Sequence, residues 1–183
     1  CALPICNPLT CKTALYAPFL FSSIRTLSVL SANSPRNYPM SKVFTGKYWS
    51  IQSFVSGFSN NAFLITCNRT NKSIIIDNPA TPDELIRAAS DTEVEAIFIT
   101  HGHRDHVEGY EDVSGSFSVP IGVGNDDRGS LPDSADTAID VATGNTTIIG
   151  DIALKSMATP GHTPGSTCYL LESPESKEAG EQA

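Results

Sequence analysis

Thr100-His101-Gly102-His103-Arg104-Asp105-His106 is the stretch on which the reading of this chain turns. Three of the chain's four histidines fall inside six residues, with an aspartate among them. The fourth, His162, stands in Thr159-Pro160-Gly161-His162-Thr163-Pro164-Gly165-Ser166. Imidazole and carboxylate are ligands that suit zinc, and also iron, nickel or copper. Side chains two apart in an extended segment point the same way, so His101, His103 and Asp105 are expected to converge. His106 joins them only if the chain bends, and Gly102 permits a bend at little steric cost. Arg104 is expected to point away from the cation. The plain alternative is a set of surface histidines in a polar loop. Four candidate ligands in six residues argue against it, because uncoordinated they would crowd several titratable groups together.

The apolar run Glu95-Ala96-Ile97-Phe98-Ile99-Thr100 reads as a buried strand leading into this loop. Ligands at the end of such a strand lie at the rim of a sheet, where open α/β folds usually carry their sites.

The motif H-x-H-x-D-H after a hydrophobic strand, followed at a distance by Gly-His-Thr-Pro-Gly-Ser, resembles the metallo-β-lactamase superfamily of hydrolases. The resemblance runs from about Tyr48 to Leu171. It implies that His101, His103 and His162 hold a first metal. It implies that Asp105 and His106 belong to a second, with a water or hydroxide between the two ions. Zinc is the implied metal, as one or two ions, with iron as the alternative. The family's bridging aspartate, in a Gly-Asp pair after the next strand, and its last histidine have no counterpart before Ala183. The chain is therefore read as a fragment of a longer protein, with a degenerate member as the alternative.

A length of 183 residues suits one domain, and 40% hydrophobic with 17% charged residues suits a globular one. The formal charge of −8 argues against nucleic-acid binding, which needs a basic face. That charge is unevenly spread. Residues 1–46 hold no acidic residue and four basic ones, Lys12, Arg25, Arg36 and Lys42. The remainder has eight basic against twenty acidic residues, a formal charge of −12. The Ser-, Thr- and Pro-rich head is open to three readings: a transit peptide, a signal-peptide core at Ala14–Phe21, or translated upstream sequence ahead of Met40. Pro18 and Arg25 interrupt it too soon for a membrane span. Residues 1–46 are thus set apart as a leader, 47–172 as the domain and 173–183 as a frayed tail. The five cysteines match no zinc-ribbon spacing, and Cys67 and Cys168 are expected in the core. No disulfide is inferred, which points to a reducing compartment. The expected location is cytoplasmic, or an organelle if the head is a transit peptide.

Strands are expected at 48–55, 62–67, 73–76, 95–100, 117–123, 147–149, 152–156 and 168–171. A helix is expected to open at Pro82 and run to about Ala89, and another to begin near Val107. Asp77-Asn78-Pro79 resembles the family's Asp-Pro-Gly turn, whose aspartate orients the metal loop. An ordinary turn aspartate is the competing reading. Asp126, Asp127, Asp133 and Asp136 are read as a solvated acidic loop in preference to a second metal centre. The family resemblance implies an α/β (α+β) fold, an αββα sandwich of mixed sheets flanked by helices, incomplete at the C-terminus.

The chemistry implied is hydrolysis of an ester, thioester, lactone, amide or phosphoester. A bound cation lowers the pKa of a water toward 7, and Asp105 is the catalytic candidate that orients that water or accepts its proton. The resemblance extends to glyoxalase II thioesterases. The alternatives are a single-iron persulfide dioxygenase-like oxidoreductase and a non-catalytic metal-binding scaffold. The expected partner is a small-molecule substrate, with neither nucleic acid nor membrane.

Overall fold

The computed structural model describes residues 14–15, 41–56 and 60–172. Among these, ten strands form two sheets. The larger has the order β2 (Ser41–Thr45), β3 (Trp49–Ser56), β4 (Asn60–Cys67), β5 (Lys72–Ile76), β6 (Glu93–Phe98), β7 (Ile121–Gly122). Its first four strands are an antiparallel meander, and β5–β6 and β6–β7 are parallel. The smaller sheet has the order β1 (Ala14–Leu15), β10 (Thr167–Glu172), β9 (Ile152–Ala158), β8 (Thr146–Ile149), antiparallel throughout.

The mixed pairing follows from local sequence. Parallel neighbours need a crossover, and α1 (Asp83–Ala89) supplies the one between β5 and β6. Pro82 occupies its N-cap position, Asp83 and Glu84 the first turn and Arg87 the last, so the charges suit the helix dipole. Leu85 and Ala89, four apart, bury one face. The crossover from β6 to β7 carries α2 (Arg104–Val107) and α3 (Tyr110–Phe117).

The runs Ile74-Ile75-Ile76 and Ala96-Ile97-Phe98-Ile99 lack a polar face because the sheet is covered on both sides. Ile74, Ile76, Ala96 and Phe98 point into a core shared with Ile149, Leu154 and Tyr169 of the smaller sheet. Ile75, Ile97 and Ile99 point the other way, against Leu85 and Val113 of the helices. The layers are therefore sheet, sheet, helix. Phe98 and Tyr169 meet edge to face with ring centroids 5.2 Å apart. The Tyr169 hydroxyl donates to the Ile99 carbonyl at 2.9 Å, and Thr167 N–H donates to the Thr100 carbonyl at 2.8 Å. These bonds seat the start of β10 on the end of β6, which is where the two histidine motifs lie.

Several elements differ from expectation. Sheet pairing begins at Ser41, ahead of the boundary set at 47, because Ser41–Thr45 adds an edge strand to β3. The rest of the expected leader is described only at Ala14–Leu15, and 173–183 lie outside the described residues. The strand expected over 117–123 shrinks to Ile121–Gly122. Phe117 closes α3, and Ser118 at φ 49° turns the chain out of it. Asp105 and His106 are not in an extended segment. They sit in the first turn of α2, so the alternation argument holds for His101 and His103 alone. No helix among the described residues is long and apolar enough to cross a membrane.

Truncating Phe98 to Ala should cost about 3–5 kcal/mol of stability. Tyr169→Phe, which leaves the Ile99 carbonyl without its donor, should cost about 1–3 kcal/mol. Urea denaturation followed by tryptophan fluorescence measures both.

Candidate metal centre

Two loops build the site. The first leaves β6 at Ile99, runs through Thr100–His103 and enters α2. The second joins β9 to β10 and carries His162. The structure brings His101, His103 and His162 together, with one ligand nitrogen from each lying within 4.8 Å of the others. Ring centroids are 4.9 Å apart for His101–His103, 4.6 Å for His101–His162 and 4.5 Å for His103–His162. His101 is buried, while His103 and His162 are exposed. His106 is also buried, with its ring 4.0 Å from that of His101. Asp105, on the same turn, reaches to 3.7 Å from His106 Nε2. Arg104 turns outward, 85% exposed, to pair with Glu108 one helical turn on.

Asp77 explains why the buried pair is held as it is. It ends β5 in the left-handed region at φ 62°, a conformation aspartate adopts more readily than most residues. The turn brings its carboxylate beneath the first loop. Oδ1 accepts from Thr100 N–H at 2.7 Å, and Oδ2 accepts from the Thr100 hydroxyl at 2.7 Å. Oδ2 also lies 2.9 Å from His106 Nδ1. A carboxylate only accepts, so His106 carries its proton on Nδ1. The Thr100 hydroxyl spends its single proton on Asp77, so its contact of 3.0 Å with His101 Nδ1 requires His101 to donate. His101, kept neutral by burial, therefore keeps a free Nε2 lone pair, the form in which imidazole binds a metal, and His106 offers the same lone pair in its neutral form. The turn reading of Asp77 and the orienting one describe the same residue.

The electrostatics follow. Burial, and then the neighbouring His106, His162 and His103, push the His101 pKa down to about 3, against a pull from Asp105. Burial also opposes charge on His106, but its hydrogen bond to Asp77 and the charges of Asp77 and Asp105 hold its pKa above the ordinary value.

Two residues that contact these loops depart from what the sequence leads one to expect. Asn60, ahead of the strand expected at 62–67, is buried at the start of β4 and donates to the Asp105 carbonyl. Ser56 donates to its Oδ1 at 3.1 Å. Asp127, read as part of a solvated acidic loop, is buried in a 3₁₀ turn (Asn125–Ser130). Its Oδ2 accepts from Gly102 N–H at 2.8 Å and from the Thr163 hydroxyl, and its Oδ1 from Gly165 N–H at 3.0 Å. Burial works against its charge, yet those three donors hold its carboxyl below the usual carboxylate range. A run of four aspartates carries no local signal to mark the one that folds inward.

A family model described as the metallo-beta-lactamase superfamily matches residues 55–177. The chain belongs to the metallo-beta-lactamase superfamily. Within it, the chain is 30% identical over 126 residues to a protein of Schizosaccharomyces pombe named "Probable hydroxyacylglutathione hydrolase glo2". That alignment covers 65% of this chain and 46% of the relative. It is 29% identical over 124 residues to the "Probable polyketide biosynthesis zinc-dependent hydrolase BaeB" of Bacillus velezensis, covering 66% of this chain and 55% of that one. Among solved structures, a metallo-beta-lactamase from Staphylococcus aureus superposes with a TM-score of 0.61 at 27% identity, over 76% of this chain and 42% of the other. The chain thus spans about half the length of these curated superfamily members.

The donor set fits a metal of the kind this superfamily binds. Three imidazoles of matching reach are offered, and the buried one has its Nε2 lone pair free. In the metal-free chain, NMR titration should find His101 neutral across the range of about pH 5–8 in which ordinary histidines titrate. His106 should titrate above the ordinary value, and Asp77→Asn should lower its midpoint. Because the folded pKa of His106 is raised, its contribution to stability is full below the unfolded value and fades as pH rises through the folded one.

Proposed function

We propose that this chain carries the metal-binding part of a zinc-dependent hydrolase, with a thioester as the first substrate class to test. The observation that carries the proposal is the convergence of His101, His103 and His162, drawn from loops some sixty residues apart, with ligand nitrogens inside 4.8 Å. Similarity to a probable hydroxyacylglutathione hydrolase and to a probable zinc-dependent hydrolase supports the choice of metal and reaction.

In this reading His101, His103 and His162 hold the first ion, and Asp105 and His106 offer ligands to a second. The ion supplies Lewis acidity and makes a water acidic enough to be deprotonated near neutral pH. The remaining chemistry belongs to the chain. Asp105, 43% exposed on its side chain and beside His106, would orient the attacking water or accept its proton. His106 Nε2 lies beside it, and Asp77 holds the ring that carries it. Asn60 anchors the Asp105 backbone, so the carboxylate is offered from a fixed turn. Arg104 faces solvent, paired with Glu108. No serine or cysteine nucleophile is required.

Elemental analysis of the purified chain should find zinc, and His101→Ala and His162→Ala should each lose it. Where thioester hydrolysis is measurable, the same substitutions should lower kcat/KM by more than about 100-fold, beyond what loss of an outer-sphere partner costs. Iron in place of zinc, with no hydrolysis, would favour the oxidoreductase reading. Metal binding without turnover of any ester, thioester, lactone, amide or phosphoester would favour the scaffold.

A further inference from the structure

Asp127 contributes no ligand atom to the histidine cluster, yet each of its three donors lies within a few bonds of one. Gly102 is the residue between His101 and His103. Thr163 directly follows His162, and Gly165 lies two beyond it. Successive Cα atoms are a fixed ~3.8 Å apart across a trans peptide. A bond to Gly102 therefore locates both histidines of the first loop, and bonds to Thr163 and Gly165 locate the third.

Steric evidence independent of those bonds points the same way. A Cβ on Gly165 would lie 2.5 Å from Asp127 N and 2.7 Å from both Asp127 Cβ and Cγ. A Cβ on Gly124 would lie 2.0 Å from the Gly165 carbonyl oxygen. A Cβ on Gly102 would lie 2.9 Å from Ser130 Oγ and 3.1 Å from Asp127 Cβ. At Gly124 and Gly165 the segments meet at backbone contact, where a side chain has no room, and Gly102 packs closely on the side chains of Ser130 and Asp127.

The turn is itself anchored. Arg128 donates to the Thr137 hydroxyl at 2.9 Å and to the Pro132 carbonyl at 3.2 Å, and Ser130 donates to the Asp127 carbonyl at 2.7 Å. The carboxylate thus projects from a braced platform.

Resting on the metal reading above, we propose that Asp127 is a positioning residue that fixes the spacing between the His101–His103 loop and the His162 loop before any ion arrives, and thereby sets the affinity of the site. A group that only accepts is suited to three converging donors. Its amide isostere must turn an N–H₂ toward at least one of them. Spacing established by the fold is spacing that ion binding need not impose, which is the general advantage of preorganisation.

The test compares Co²⁺ and Zn²⁺ affinities of the 183-residue chain, by competition with a chromophoric chelator, for wild type, Asp127→Asn, Asp126→Asn and Thr163→Val. Far-UV circular dichroism of the metal-free forms runs alongside. Asp126 is exposed and adjacent, so its variant removes the same charge without touching either loop. Asp127→Asn should keep the wild-type spectrum and bind the first ion about 10–100-fold more weakly. Asp126→Asn should bind within about twofold of wild type, since exposed charges at a distance are screened. Thr163→Val, which retains the carboxylate and both backbone donors, should lose about threefold or more. Equal affinity in wild type and Asp127→Asn overturns the proposal, as does an equal loss in Asp126→Asn. Should Asp127→Asn fail to fold, Thr163→Val decides, and unchanged affinity there overturns the proposal. Failure of the wild-type chain to bind either ion would sink the metal reading and this inference with it. Equal binding by all four would sink this inference alone.

Discussion

Four imidazoles crowd into one corner of this fold, with the His101 ring 4.0–4.9 Å from its three neighbours. Such a cluster tolerates little positive charge, and the depressed pKa of His101 expresses that constraint. The cluster must therefore be held from outside. Asp77 meets that need. By accepting hydrogen bonds from Thr100 and His106, it places the ring proton of each histidine on Nδ1 and fixes both rings. A carboxylate held away from the site therefore decides the chemical form of two groups within it.

The sheets serve this corner. β6 and β10 belong to different sheets, and their pairing partners lie on opposite sides of the first core. The Tyr169–Ile99 and Thr167–Thr100 bonds tie them at the end where the loops emerge. The doubly buried larger sheet resists displacement, because moving any of its central strands uncovers apolar surface on two faces at once. Loops with exposed His103 and His162 are then carried by a rigid base with buried His101 at its root.

Membership of the superfamily and the position of the histidine motifs agree without either being needed to argue the other. The family match spans 55–177, and the geometry of the cluster is visible in the fold alone. The stretch aligned with the curated relatives covers about half of their length.

Much was legible in the linear sequence because it is written in local physics. Strands with no polar face at Ile74–Ile76 and Ala96–Ile99, a helix opening at Pro82 and a dense histidine motif each depend on near neighbours. Periodicity and ligand clustering report such features directly. Other features depended on contacts between segments far apart. Asp126 and Asp127 are indistinguishable as neighbours in an acidic run, and only the approach of Gly102 and Gly165 from 25 and 38 residues away buries the second of them. Asp105 sits on a helical turn because α2 starts one residue earlier than alternation allows, with Asn60 binding its carbonyl across the fold. Ring tautomers, too, were settled by a hydroxyl with one proton to give and a carboxylate already waiting for it. Sequence alone therefore determined which residues could meet. Tertiary structure decided which did, and in what protonation state, because hydrogen bonds between distant segments exist only once the sheets have packed.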